Sequence, residues 1–215
     1  MNINEIPFGN PERSNLKYLH SDNYLDSLLP ELKSYPFPEN DSEQAAIEIQ
    51  QIINANTKLY SDEPLLKRFE VYDTLFQQHM IESLVVNGVP KEKVQALIDS
   101  VKEDTKPLLL KLKFHYQRIR PIQLSKIIGK ELNPYNSLSA NTPSYPSGHV
   151  FQSRIYAEVL GNTYPEFYKS LQELATDIMW SRIYMGLHYV SDCEFADYVA
   201  QVVCNHPDFK KKYRL

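Results

Sequence analysis

Three short stretches of the chain, residues 113–121, 146–149 and 181–192, carry residue types that suit chemistry on a small, dense anion. They supply three cations, two histidines, a carboxylate and a Ser-Gly turn, from Lys113, Arg120, Ser147, Gly148, His149, Arg182, His188 and Asp192. Fixed cations and backbone N–H groups bind such anions, while histidines serve as nucleophiles or proton carriers. The sequence therefore predicts a phosphate-binding site assembled from all three stretches.

The third stretch combines a histidine with a carboxylate four residues later, at His188 and Asp192. A carboxylate on one ring nitrogen fixes the tautomer and leaves the other nitrogen with a lone pair. The alternative is an ordinary pair of helix neighbours. Arg182 lies six residues before His188, which is roughly 240° around a straight helix. Both can face one ligand only if the helix breaks, and Gly186 is suitably placed for a break.

The Ser-Gly turn precedes an apolar helical pattern. We expect Gly148 to let the backbone approach an anion at the start of a helix, although Ser147 could simply cap that helix. Arg118 is either a fourth anion ligand or, as we expect, a residue behind the ligands or on the surface. The remaining histidines, His20, His79, His115 and His206, are expected to pack or face solvent. No Cys-His or acidic pattern predicts a metal site.

The three stretches resemble the motifs of the phosphatidic acid phosphatase type 2 / vanadium haloperoxidase superfamily: K-x6-RP, PSGH and SR-x5-H-x3-D. Within it, the sequence is most similar to class A bacterial nonspecific acid phosphatases, through K-x-x-Y-x-R-x-R-P, S-Y-P-S-G-H and G-x-H-x-x-S-D. It departs from them at Val150, where they have threonine, and in showing no export signal. The likeness of this sequence to those phosphatases is strongest from about residue 107 to 205.

This resemblance implies metal-independent hydrolysis of phosphomonoesters through a phosphohistidine. His188 would be the nucleophile, Asp192 would orient it, and His149 would protonate the leaving group. The phosphate would be held by Lys113, Arg120, Ser147, Gly148 and Arg182. Vanadate is expected as an inhibitor. The alternatives are a vanadium-dependent haloperoxidase, with vanadate as its cofactor, and a non-catalytic phosphate-binding module.

The whole chain has 215 residues and a formal net charge of -4, which gives no broad basic surface for nucleic acid. Its apolar runs are shorter than the ~18 residues of a membrane span. A soluble, cytoplasmic protein is therefore expected. Its expected partner is a small phosphate ester, and its aromatic-rich surface is compatible with a homodimer. Cys193 and Cys204 would be about 16 Å apart on one helix, so no disulfide is expected.

The elements that must position these residues are helices. Residues 1–40 are rich in proline and asparagine and predict an irregular arm, and residues 41–215 predict a helical phosphatase domain. Helix starts are indicated at Asp41-Ser42, Asp62-Glu63-Pro64 and Pro90, with further helices at about 148–160, 165–185 and 190–205. Residues 121–146 predict a long loop, and Gly161 and Gly186 predict breaks. The expected fold is all-α, a single-domain helical bundle.

Overall fold

The structure, a computed structural model, describes residues 2–215 and confirms the all-α prediction, since the described part of the chain contains no β-strand. Short 3-10 turns occur at Ile3–Glu5, Tyr24–Leu28 and Pro165–Phe167. The helices are α1 (Arg13–Leu19), α2 (Leu29–Leu32), α3 (Glu43–Tyr60), α4 (Glu63–Val85), α5 (Lys91–Tyr116), α6 (Pro121–Ile127), α7 (Gly148–Thr163), α8 (Tyr168–Tyr184), α9 (Val190–Asn205) and α10 (Pro207–Tyr213).

Local capping signals place the starts of α3 and α4 where the sequence predicted them. The Ser42 hydroxyl accepts from the Ala45 amide at 3.1 Å, and the Asp62 carboxylate accepts from the Leu65 amide at 3.0 Å. Each cap satisfies one of the free N–H groups of a first helical turn. These two helices contribute one carboxylate each to the candidate site described below.

Helix α5 is a single helix of 26 residues, with Pro107 inside it. It ends at Gln117, whose φ of 53° is left-handed and turns the chain out of the helix. Lys113 consequently lies on the last turn, as the sequence predicted. Helix α6 follows within the segment expected to be a loop, because Pro121 at its first position and Gln123 near its start favour helix initiation. The irregular connection is therefore shorter, and spans residues 128–147.

Helices α7, α8 and α9 form the centre of the bundle. The prediction of a break at Gly161 is wrong, because α7 continues to Thr163. The glycine instead permits close packing of α7 against α8: a Cβ there would lie 2.5 Å from Cδ2 of Tyr168. Gly186, with a φ of +72°, does lie between two helices, α8 and α9. The chain therefore changes direction between Arg182 and His188.

The N-terminal segment contains short helices and packs on the bundle through polar and aromatic contacts. Lys111 on α5 is paired with Asp26 at 2.7 Å, and Phe37 packs against the rings of Tyr116 and Tyr145. The free cysteines Cys193 and Cys204 both lie on α9. Among residues 2–215, no helix combines the length and apolar character that crossing a membrane requires.

Candidate active site

The three predicted cations come from three helix ends and are all buried. Lys113 lies on the last turn of α5, Arg120 immediately precedes α6, and Arg182 lies on the last turn of α8. Their side chains are at most 5% exposed. Buried positive charges are costly unless anions or dipoles compensate them. The neighbours of each cation therefore indicate what the site can bind.

His188 lies between α8 and α9 with its ring fixed from both sides. Nδ1 is 3.1 Å from Oδ2 of Asp192, and Nε2 is 2.9 Å from NH1 of Arg120. Because the carboxylate can only accept and the guanidinium can only donate, the neutral ring carries its proton on Nδ1. Burial and the charge of Arg120 lower the pKa of His188 well below its usual value, against the opposing effect of Asp192. The ring thus presents a lone pair on Nε2.

Asp192 is the shared acceptor of this part of the site. It lies in the first turn of α9 and accepts from the Tyr189 amide at 3.0 Å, from the guanidinium of Arg118 at 2.6 Å and from the Ser144 hydroxyl. Burial raises the pKa of Asp192, but Arg118 and these hydrogen bonds outweigh it and hold the pKa well below the usual range. The carboxylate is therefore ionised and immobilised beside His188.

Arg118 lies behind His188 and is fully buried, which rules out the surface alternative. Besides Asp192 it contacts Glu48 on α3, with NH2 3.3 Å from Oε2, and its guanidinium lies 3.9 Å from the centre of the Tyr189 ring. Glu48 also accepts from the amide of Ser191 at 2.6 Å and from its hydroxyl at 2.8 Å. A carboxylate from α3 thus holds both Arg118 and the start of α9.

Lys113 and Arg120 are directed at the end of the 128–147 connection. Lys113 Nζ donates to the Pro143 carbonyl at 2.6 Å, and Arg120 donates to the carbonyls of Thr142 and Leu187 at 2.8–2.9 Å. Burial and the charge of Arg120 lower the pKa of Lys113 well below its usual value. Burial likewise lowers the pKa of Arg120 to about 10. The groups that accept hydrogen bonds from these two cations carry only partial charges, so an anion would be stabilised here.

The Ser-Gly turn contributes a buried hydroxyl and the start of α7. Ser147 makes no side-chain capping bond, which rules out the simple cap as its role, and its Oγ finds no hydrogen-bond partner within residues 2–215. Gly148 is close to Lys113, since a Cβ on it would lie 3.6 Å from Cε of the lysine. An unpaired buried hydroxyl beside a buried cation fits an anionic ligand.

A backbone carbonyl and an aromatic ring hold the side chain of His149 in place. Its Nε2 lies 2.9 Å from the backbone carbonyl of Asp73, so Nε2 carries a proton, and the ring packs on Phe76 with centres 4.6 Å apart. Burial and the charge of Arg182 lower the pKa of His149 well below its usual value. Nδ1 is therefore the nitrogen that gains and loses a proton.

Arg182 is bound by a carboxylate that the sequence analysis did not identify. Both NH1 and NH2 lie 3.0 Å from Oδ1 of Asp73 on α4, and NH2 also donates to Ser139 at 3.1 Å. Oδ1 accepts further bonds from the hydroxyls of Ser137 and Ser139. Burial raises the pKa of Asp73, but Arg182 and the two serines together have the larger, opposite effect. The pKa therefore lies below its usual value.

The predicted residues lie in two adjoining groups, each joined by a residue that was not predicted. Asp192, His188, Arg120 and Lys113 form one group with Ser144, and Arg182 and His149 form the other with Asp73. The groups meet where the His188 amide donates to the Arg182 carbonyl at 3.3 Å. The Ser147 amide donates to the Asp192 carbonyl at 3.0 Å and brings the α7 start to the first group. The sequence analysis missed the contributions of Glu48 and Asp73, which come from helices far away in the chain.

Comparison with known proteins identifies a family and a relative that this chain resembles in sequence. Residues 104–206 match the PAP2 superfamily. A protein named non-specific acid phosphatase, from Providencia stuartii, is 29% identical over 125 residues, which amount to 56% of this chain and 50% of that protein. The chain therefore spans about half the length of this curated relative. The segment that matches the family, residues 104–206, includes the cations and histidines of the site, while Glu48 and Asp73 lie before it.

Proposed function

We propose that the chain is an acid phosphatase of the PAP2 superfamily, whose family model its residues 104–206 match, and that it hydrolyses phosphomonoesters through a phosphohistidine. One observation carries the proposal: His188 is fixed by Asp192 with the lone pair of Nε2 directed toward a buried guanidinium. A neutral imidazole in a cationic site is suited to attack on phosphorus in an anionic ester.

In the first step, the Nε2 lone pair of His188 forms a bond to phosphorus while the ester P–O bond breaks. The Arg120 N–H group that contacts Nε2 donates to a phosphate oxygen instead, which frees the Nε2 lone pair. The proton on Nδ1 of His149 passes to the departing oxygen, so that an alcohol leaves. Asp192 stabilises the positive charge that develops on the His188 ring.

In the second step, His149 acts as a general base. Its Nδ1 accepts a proton from a water molecule, whose oxygen attacks phosphorus. The N–P bond breaks, its electrons return to Nε2 of His188, and inorganic phosphate leaves. Both steps pass through a trigonal bipyramid with three equatorial oxygens on phosphorus and with Nε2 of His188 and the leaving or attacking oxygen at its apices, and preorganised charges stabilise it.

The phosphate oxygens would be held by Lys113, Arg120, Arg182, the hydroxyl of Ser147 and the amide of Gly148. Two buried polar atoms support this assignment: neither Ser147 Oγ nor Arg182 Nε has a hydrogen-bond partner in the described part of the chain. A bound phosphate would also raise the pKa of Lys113 by supplying the missing opposite charge. We propose that these side chains supply the positive charge of the site without a metal ion.

A phosphoenzyme trapping experiment tests this proposal. Purified protein is mixed with p-nitrophenyl phosphate at mildly acidic pH, with and without a chelator, and quenched rapidly. We expect turnover that the chelator leaves unchanged, an acid-labile phosphohistidine, and competitive inhibition by orthovanadate, which mimics the transition state. The exposed His20 supplies a matched control, since His20→Ala should retain turnover. Loss of turnover on chelation, restored by a divalent cation, would contradict the proposal.

A further inference from the structure

Asp73 occupies the NH1 and NH2 groups of Arg182, two of the three nitrogens through which the guanidinium could bind a phosphate. A guanidinium recognises phosphate through parallel N–H groups, each donating to an oxygen. Here the NH1 and NH2 groups both donate to Oδ1 of Asp73, at 3.0 Å each. Of the five N–H groups of Arg182, only the one on Nε lacks an acceptor within residues 2–215, counting the weak contact from NH1 to the sulfur of Met185 at 3.9 Å.

The Asp73 carboxylate is also fixed from the side of the 128–147 connection. Ser137 donates to Oδ1 at 2.6 Å and Ser139 donates to the same oxygen at 2.9 Å. Ser139 in turn accepts from NH2 of Arg182. A phosphate oxygen that used NH1 and NH2 of Arg182 would therefore have to replace a carboxylate oxygen that four hydrogen bonds already hold, whereas Nε can bind a phosphate oxygen with Asp73 in place.

We propose that Asp73 sets the affinity of the site for phosphate by competing with the phosphate for Arg182. This inference rests on the proposed function, because it takes the pocket to be a phosphate site. Only molecules in which Asp73 has released the guanidinium can offer NH1 and NH2 to the phosphate as well as Nε. For binding through all three nitrogens, the apparent dissociation constant is then the intrinsic one divided by the fraction of molecules in which Asp73 has released the guanidinium.

A second role for Asp73 has the opposite consequence and can be separated from the first. If Asp73 instead held Arg182 in place for phosphate, a weaker hold would lower phosphate affinity. The contact with His149 does not interfere, because His149 donates to the backbone carbonyl of Asp73 and not to its carboxylate. An asparagine keeps that carbonyl and the side-chain shape while removing the negative charge. Asp73→Asn therefore weakens the hold on Arg182 and keeps the contact with His149, while it also removes a negative charge that raises the pKa of His149 and of Arg120.

The test is calorimetric titration of the full chain with inorganic phosphate. For Asp73→Asn we expect a dissociation constant about ten-fold lower than in the wild-type protein, because the ionised pair no longer has to be broken. Asp177→Asn is the matched control. Asp177 lies on α8 and forms an ion pair with Arg68 on α4 at 3.1 Å, so it also links these two helices. It contacts none of the pocket residues and should leave phosphate binding unchanged.

A second variant keeps the proposal testable if Asp73→Asn does not fold. Ser139→Ala removes one donor to Asp73 and one acceptor of Arg182, and should lower the phosphate dissociation constant by about two- to five-fold. Equal or weaker binding in the folded variants would overturn the competition and leave the proposed function intact. Absence of both phosphate binding and ester hydrolysis in the wild-type protein would overturn the two together.

Discussion

His188 and His149, the two histidines of the candidate site, are held by different kinds of hydrogen-bond partner. His188 binds a buried carboxylate through Nδ1 and meets a guanidinium at Nε2. His149 binds a backbone carbonyl through Nε2 and lies on the ring of Phe76. In both cases burial lowers the pKa, yet only His188 has an opposite charge within hydrogen-bond distance of its ring.

This difference indicates how one residue type can serve two roles. A carboxylate on Nδ1 stabilises the cation that a histidine becomes when its other nitrogen is phosphorylated, as the nucleophile requires. A neutral carbonyl orients a ring without stabilising its cation to the same degree, which makes the proton easier to release. The expected effects of the following changes depend on this contrast.

The largest effect is expected for His188→Ala, which removes the nucleophile. Turnover of alkyl and aryl phosphates alike should fall by at least about 10⁴-fold, because nothing else can form the covalent intermediate. Steady-state rates and rapid-quench detection of phosphoenzyme measure this. A phosphoenzyme that persists in the variant would move the nucleophile to another residue and remove the contrast.

His149→Ala should have a smaller effect that depends on the leaving group. General acid catalysis typically contributes about 10²- to 10⁴-fold, and an alkyl alcohol needs the proton far more than p-nitrophenolate does. We expect a loss in that range for alkyl esters, a weaker loss for formation of the phosphoenzyme from the aryl ester, and accumulation of phosphoenzyme. Equal losses for both esters, with phosphoenzyme formation limiting, would exclude His149 as the acid.

The pH dependence should report the lowered pKa of His149. The general acid must be protonated, so kcat/KM for an alkyl ester should fall up to ten-fold per pH unit above the pKa of the free protein. Because that pKa is lowered from its usual value near 6.5, the fall should begin on the acidic side of that value. His149→Ala with the same ester is the control, since it retains the ionisation of the substrate. An identical alkaline limb in the variant would exclude this assignment.

The smallest effect is expected for Phe76→Leu, which removes the ring that supports His149. Aromatic contacts of this kind contribute about 0.5–1.5 kcal/mol beyond buried area, so alkyl ester turnover should fall by roughly two- to ten-fold. Aryl ester turnover should change less, because it depends less on His149. Parallel rate measurements on both esters, with thermal unfolding to confirm a folded variant, distinguish this from a general loss of structure.

The sequence predicted those features that depend on neighbouring residues. The caps at Ser42 and Asp62, the end of α5 near Lys113 and the break at Gly186 all follow from local backbone chemistry. The motifs identified the cations and histidines because their internal spacing is short. The short helix α6 was missed although Pro121 gave a signal for its start, since its few residues show no sustained hydrophobic period.

Glu48 and Asp73 were missed for a different physical reason. Each is a single carboxylate on a long amphipathic helix, where charged residues ordinarily face solvent. Their partners are far away in the chain: Glu48 meets Ser191 and Asp73 meets Arg182. No local pattern records such a pairing. Arg118 was left ambiguous for the same reason, because its burial depends on the position of α3 as well as on its own motif.

The Glu48 contact also limits how far the protein can be treated as a set of modules. The segment that matches the PAP2 superfamily begins at residue 104, but its Arg118 is partly compensated by a carboxylate from α3. A fragment beginning at residue 104 would expose the face that α3 covers and leave Ser191 without its acceptor. A transplant of residues 104–206 without α3 would therefore bury Arg118 with one of its two carboxylate partners missing.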